Sequence, residues 1–181
     1  IVYIPNGVPN LTLRPFTPPS KNCTILFVGR ATRPKGLIEL YRAFQGIENP
    51  SARLEFVGDG EILPELKRLT QNDSRVIISG RLKAEEVAKR YQASRIVVVP
   101  SLWHEPMNTV ICEAQSWSRP VVASRVGGNG DMICDGKSGL LCAPGDIVAL
   151  RGAIEKLLRD DALTDQIGRG GCEHGTRFSM E

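Results

Sequence analysis

Residues 95–123 read RIVVVPSLWHEPMNTVICEAQSWSRPVVA, and this stretch decides the fold. It opens with a short apolar, β-branched run, Arg95–Val99, and passes into a polar loop. It continues as a segment with apolar residues at helical spacing (Val110, Ala114, Trp117) and closes on a second apolar run, Pro120–Ala123. A strand that meets water on one face alternates polar and apolar residues. A strand that is apolar throughout is covered on both faces, as in a parallel sheet between two helical layers. The stretch is therefore a strand–helix–strand unit, and its crossover is right-handed.

Outward from this unit the pattern repeats. Thr24–Val28, Arg53–Val57 and Arg75–Ser79 are further apolar runs, and Lys35–Gly46, Glu65–Thr70, Ala84–Ala93 and Asp146–Arg159 carry helical period. Leu37, Leu40, Tyr41 and Phe44 share one face of the first helical segment. Ile147, Leu150, Ala153, Ile154, Leu157 and Leu158 share one face of the last. The expected fold is α/β, a doubly wound Rossmann-like parallel sheet of about six strands that binds ligand beyond the carboxyl ends of its strands. Residues 1–22 are rich in proline and lack a period, which predicts an extended lead-in, with residues 23–181 forming the domain.

Composition narrows the function. A chain of 181 residues suits one domain with its own core, and 41% hydrophobic with 24% charged residues argues against disorder. Aromatic residues at 6% give few stacking platforms, and a net charge of +3 is too small to imply nucleic acid or a membrane surface. That charge does suit a small anion if a few cations converge. Cysteines 23, 112, 134, 142 and 172 show no CxxC spacing, which predicts reduced, buried thiols in a cytoplasmic protein. No run approaches the roughly 18 apolar residues of a membrane span. His104 and His174 lack a partner at metal spacing, and neither a GxxxxGK[ST] loop nor a GxSxG elbow is present.

The loops after the strands hold the chemistry. Val28-Gly29-Arg30 ends one strand, and Lys35-Gly36 opens the next helix. Arg30 and Lys35 could converge on a diphosphate, one as a fork and one as a point charge, or could belong to a solvated turn. Gly58-Asp59-Gly60-Glu61 reads as a tight turn before a helix. Its missing third glycine and its Glu61 speak against a dinucleotide fingerprint. In the longest loop, Pro106 stands just ahead of a helix expected over Thr109–Ser118. The backbone N–H groups of Asn108, Thr109 and Val110, with the helix dipole, would form a phosphate site. Glu105 precedes this terminus, where its bland account is a favourable charge near a helix start. Glu113 lies beside the stripe Val110, Ala114, Trp117, where a carboxylate wants hydrogen-bond donors. The two hydroxyls of a ribose would supply them, as would solvent or a nearby arginine. Val126-Gly127-Gly128-Asn129-Gly130-Asp131 allows close backbone approach, or is a turn before a short helix.

Glu105 and Glu113, with seven residues between them, resemble the E-x7-E motif of retaining glycosyltransferases of the GT-B fold, family GT4 (glycosyl transferases group 1). Other landmarks follow in order: Ile4-Pro5-Asn6-Gly7-Val8, Val28-Gly29-Arg30 with Lys35-Gly36, Val57-Gly58-Asp59-Gly60-Glu61, and Ser79-Gly80-Arg81-Leu82. Pro120–Ser124 through Gly127-Gly128, Asp135-Gly136 with Ser138-Gly139-Leu140-Leu141, and Pro144-Gly145-Asp146 complete the set. Each is weak alone; their order is specific.

The resemblance implies a catalytic set of Glu105, Arg30 and Lys35. The two cations would bind the distal phosphate, and Glu105 would lie under the anomeric centre of the sugar. It implies donor contacts at Gly29, at Met107 and the amides of Asn108, Thr109 and Val110, at Glu113 for the ribose, and at the backbone of Arg81 and Leu82 for the base. The substrate would be a nucleoside-diphosphate sugar, UDP- or GDP-linked, with no cofactor and, in the absence of a DxD motif, no metal. The acceptor would be a glycan or lipid-linked molecule held by a preceding domain, and the full-length protein would be cytoplasmic, with peripheral association at the inner face of the membrane. A crossover helix past Phe178-Ser179-Met180 would be truncated, and the chain alone would bind nucleotide weakly without transferring sugar.

Two departures stand out. Pro106-Met107-Asn108 replaces a common Gly-Phe-Gly, and Ser118-Arg119-Pro120 replaces a common Gly-x-Pro. The rival readings are a non-catalytic nucleotide- or sugar-binding module, which would keep Arg30 and Lys35 without needing Glu105, and a GT-B epimerase or phosphorylase.

Overall fold

The computed structural model describes residues 14–178. Six strands, β1 (Thr24–Val28), β2 (Arg53–Val57), β3 (Val76–Gly80), β4 (Ile96–Val99), β5 (Val121–Ser124) and β6 (Leu140–Cys142), form one parallel sheet in the order β3-β2-β1-β4-β5-β6. Between and after them run α1 (Leu37–Gln45), α2 (Leu63–Thr70), α3 (Ala84–Ala93), α4 (Thr109–Ser116), the short α5 (Asn129–Met132), α6 (Ile147–Arg159) and α7 (Asp161–Gly175). The strand order reverses between β1 and β4, so a crevice opens beyond their carboxyl ends.

Continuous apolarity of the strands has the expected consequence. Ile25, Phe27, Leu54, Phe56, Ile96 and Val98 point into one core with Leu40 and Phe44 of α1 and Leu150, Ile154 and Leu157 of α6. Their sequence neighbours Leu26, Val57, Val97 and Val99 point into the other core, with Tyr91, Ile111, Cys112 and Ala114. Each fully buried aliphatic side chain contributes about 1.5–3 kcal/mol relative to exposure. A one-residue slip of the pairing would exchange the two faces.

Several element bounds differ from the sequence expectation for local reasons. The segment Lys35–Gly46 divides into a 3-10 turn, Arg33–Lys35, and α1, because Gly36 adopts φ +71° between them. The expected helix Thr109–Ser118 stops at Ser116, and Ser118 has φ +57°. The third run begins at Val76 rather than Arg75. The fourth begins at Ile96, leaving Arg95 3% exposed with its guanidinium on Leu157 O and Asp161. Helix α7 has no counterpart in the sequence reading. It carries four glycines, each of which lowers helix propensity by about 1 kcal/mol. All four, Gly168, Gly170, Gly171 and Gly175, lie where a side chain would meet Ser118, Lys137, Ser138 or Gln115, so tertiary packing overrides propensity.

The cysteines correct the expectation of buried thiols. Cys112 and Cys142 are buried, Cys23 and Cys172 are half-buried, Cys134 is exposed, and all five are free. Burial pushes the Cys112 thiol up to about 12 and the Cys142 thiol up to about 11.

Of the lead-in, Ile4–Val8 lies outside the described residues, whereas residues 14–20 are irregular and firmly held. Arg119 is 2% exposed and donates to the carbonyls of Thr17, Pro18, Gln92, Ser94 and Trp117 and to the Thr17 hydroxyl. Ser118 Oγ accepts from the Thr17 N–H at 3.2 Å. The Ser118-Arg119 departure is thereby explained: it ties the lead-in to the end of α4. Burial lowers Arg119 to about 10, which leaves it charged at neutral pH. Among the described residues no helix is long and apolar enough to cross a membrane.

Candidate active site

Beyond the carboxyl ends of β1, β2 and β3 lies a cleft of about 510 Å³. Val28, Gly29 and Arg30 line it from β1, Val57, Gly58 and Asp59 from β2, Arg81 and Leu82 from the loop after β3, and Val87 from α3. Its floor is fixed by backbone bonds running between loops: Gly29 N–H to Val57 O at 3.0 Å, Ala31 N–H to Asp59 O at 2.9 Å, and Gly58 N–H to Gly80 O at 2.8 Å. Arg30 and Arg81 are exposed, and their guanidinium groups make no ion pair or hydrogen bond among the described residues. Two cations on a cleft built of satisfied backbone suit an anionic ligand.

Glu105 is held from three sides at the mouth of the β4–α4 loop. Its Oε2 accepts from Lys35 Nζ at 2.7 Å, and Ser101 Oγ approaches Oε1 at 3.4 Å. Both side chains of the ion pair are about four-fifths buried, with relative exposures of 20% and 19%. The backbone N–H of Leu102 donates to Pro34 O at 2.7 Å, which ties the loop to the turn that ends in Lys35. On the opposite flank Gly128 N–H donates to Glu105 O at 2.8 Å. Two glycines permit this stacking. Gly36 (φ +71°) lies against Pro100 O and Gly127 (φ +52°) against the Glu105 backbone, so that a β-carbon on either would overlap backbone atoms.

Glu113 sits one helix further in. Its Oε2 accepts from the Tyr91 hydroxyl at 2.8 Å, and the Thr109 hydroxyl, one helical turn earlier, also favours the ionised form. Burial raises the Glu113 carboxyl above its ordinary 4.5, against the lowering effect of these two hydroxyls. Burial and the Glu113 charge together push Tyr91 well above 10.

The structure unites Lys35 with Glu105, whereas the sequence placed Lys35 beside Arg30. It sets Arg30, Gly29, Arg81 and Leu82 on the cleft, as expected. It corrects the helix terminus: Asn108 is 4% exposed and its N–H points to Met132 Sδ at 3.5 Å, so it is no free donor. Met107 and Val110 pack against the core that holds Tyr91 and Ile111, and Thr109 is exposed. Sequence reading missed Tyr91, Ser101 and Asp59. Tyr91 carried a detectable signal, being a phenol on the apolar face of a short helix, where a hydroxyl needs a partner. Among the described residues no three of His, Cys, Asp and Glu cluster as metal ligands.

The family model described as glycosyl transferases group 1 matches residues 22–160. The chain is 32% identical over 158 residues to an uncharacterized glycosyltransferase of Methanocaldococcus jannaschii, covering 86% of this chain and 44% of that protein. Sucrose-phosphate synthase from Thermosynechococcus elongatus superposes with a TM-score of 0.84 at 32% identity, over 97% of this chain and 48% of that one. HepE of Anabaena, crystallised with UDP and with UDP-glucose, superposes with a TM-score of 0.81 at 26% identity, over 88% and 87% of this chain and 45% of that one. The chain thus spans about half the length of these proteins or somewhat less. Its parallel six-stranded sheet is that of its GT-B glycosyltransferase neighbours. With this site and these matches, the chain belongs to the glycosyl transferases group 1 family.

Proposed function

We propose that this chain is the nucleotide-sugar donor-binding domain of a retaining, metal-independent glycosyltransferase that transfers a hexose to a glycan or lipid-linked acceptor. The observation that carries the reading is the cleft beyond the carboxyl ends of β1, β2 and β3. Unpaired Arg30 and Arg81 line it, and Glu105 and Glu113 are fixed in the β4–α4 segment that follows the neighbouring strand. The complexes of HepE with UDP and UDP-glucose support a nucleoside-diphosphate sugar as substrate.

The chemistry follows from the charges. Departure of a nucleoside diphosphate builds negative charge on the distal phosphate and positive charge on the anomeric carbon. Preoriented groups aimed at those charges lower the barrier. Arg30 would meet the phosphate as a fork. Lys35 has three donor protons and spends one on Glu105, which leaves two for phosphate oxygens. Glu105, held by Lys35, would support the oxocarbenium-like sugar electrostatically while the acceptor attacks from the face the diphosphate leaves, retaining configuration. Glu113, with an acceptor oxygen to spare, would take the ribose hydroxyls. The cations stand where a metal would otherwise neutralise the diphosphate.

The chain alone is expected to bind nucleotide weakly and to transfer no sugar, because in this reading the acceptor site would lie outside these residues. Incubating it with UDP- and GDP-hexoses and assaying released nucleoside diphosphate tests this; robust transfer to any acceptor would overturn the two-domain reading.

A further inference from the structure

The Tyr91 ring is accounted for by the core, but its hydroxyl is not. The side chain is 2% exposed, and its one phenolic proton goes to Glu113 Oε2 at 2.8 Å. Tyr91 lies one helical turn after Val87, which lines the cleft, so α3 forms a wall of the cleft and reaches under it at Tyr91. A glutamate has three side-chain torsions and loses its freedom at a cost when it must present one oxygen in one direction. A donor fixed in the core removes that freedom in advance.

We propose that Tyr91 is a positioning residue for nucleotide binding: it holds Glu113 Oε2 so that the other carboxylate oxygen meets the two ribose hydroxyls. The inference rests on the reading of Glu113 as the ribose ligand. The surroundings leave Tyr91 as the dominant partner. The titratable group acting on Glu113 is Tyr91 from α3, while the Glu113 charge acts in turn on Cys112 of its own helix. Helix α7 packs at Gln115, about half a turn away around α4, and α5 meets α4 through Met132. The ionisable residues of those elements, Asp131 on α5 and Asp161, Asp165, Arg169, Cys172, Glu173 and His174 on α7, form no ion pair with Glu113 among the described residues. The Tyr91 bond also favours the ionised carboxylate against its burial.

The test is calorimetric titration of this chain with UDP, GDP and their 2′-deoxy forms between pH 5 and 8. The proteins are wild type, Tyr91→Phe, Glu113→Gln and the double variant. Tyr91→Phe keeps the ring and removes only the donor, and matched near-ultraviolet circular dichroism confirms its fold. It is expected to weaken binding about two- to tenfold at pH 7, the scale of one net hydrogen bond. It should also move the pH midpoint of binding upward and shrink the preference for the ribose form over the 2′-deoxy form. In the Glu113→Gln background the same substitution should have no further effect.

Unchanged affinity and midpoint in Tyr91→Phe, with Glu113→Gln weakened, overturn the positioning role and leave the ribose reading standing. Equal losses from Tyr91→Phe in both backgrounds also overturn it, because Tyr91 would then act through the fold. Glu113→Gln binding like wild type removes the ribose reading itself, and the inference with it.

Discussion

The loop carrying Glu105 and the helix carrying Glu113 belong to one motif, yet the protein treats their carboxylates in opposite ways. Glu105 is given a full counter-charge, Lys35 at 2.7 Å, at a site the two residues leave partly open. Glu113 receives no counter-charge among the described residues but a hydroxyl donor, Tyr91, and burial raises its pKa. A carboxylate paired with a cation could support positive charge developing on a sugar. A carboxylate sparingly supplied with donors keeps capacity to accept two more. Under the proposed function, the difference would assign chemistry to the loop and recognition to the helix.

The largest effect expected of this contrast is on turnover. In the full-length enzyme Glu105→Gln should lower kcat by about 10²–10³-fold, the scale seen when one preorganised electrostatic group is lost. Nucleotide affinity of the present chain should change little. Steady-state kinetics and calorimetry together check the split, and a loss confined to KM would assign Glu105 to binding instead. Next, Glu113→Ala should weaken nucleotide binding by about 1.5–3 kcal/mol, as for hydrogen bonds to a charged group. Unchanged affinity would remove Glu113 from the site.

Gly127→Ala probes the frame of the loop alone. A β-carbon there meets the Glu105 backbone at a positive φ, so a loss of about 1–3 kcal/mol in stability is expected in denaturant melts. Sugar transfer should fall further than nucleotide affinity, because α4 and Tyr91 are untouched. Parallel losses of both would erase the distinction between the two regions.

The smallest effect concerns pH. With its folded pKa raised, Glu113 binds a proton in the native state more readily than in the unfolded chain. Its contribution to stability therefore falls as pH rises from 4.5 through the raised value. If Glu113 takes the ribose as proposed, nucleotide binding should strengthen over the same interval. Glu113→Gln should flatten both profiles, and an unaltered slope in that variant would place the titration on another group.

Much of the frame was legible because periodicity is a local property. Runs such as Ile96–Val99 announced a sheet covered on both faces, and Leu37, Leu40, Tyr41 and Phe44 announced the face of α1. Helix α7 stayed hidden because its glycines argue locally against helix, while their reason lies in Ser118, Lys137, Ser138 and Gln115 on distant segments. On the cleft, Arg30 was singled out because strand ends mark a crevice in this fold, whereas Arg81 and Leu82 were named only through the family resemblance. The Lys35–Glu105 and Tyr91–Glu113 pairs span 70 and 22 residues and could not be read from spacing. Asn108 was misjudged because its N–H was counted from helix position alone, without Met132 of α5. Arg119 departed from the family pattern without visible cause until the lead-in carbonyls were in place around it.

The most direct test of the central claim is calorimetric titration of this chain with UDP, GDP and ADP, first with chelator and then with magnesium. Binding of one nucleoside diphosphate in chelator, unchanged by magnesium and weakened by Arg30→Ala, is the predicted result. Silence from all three, or binding that appears only with magnesium, would contradict a donor site built on these cations.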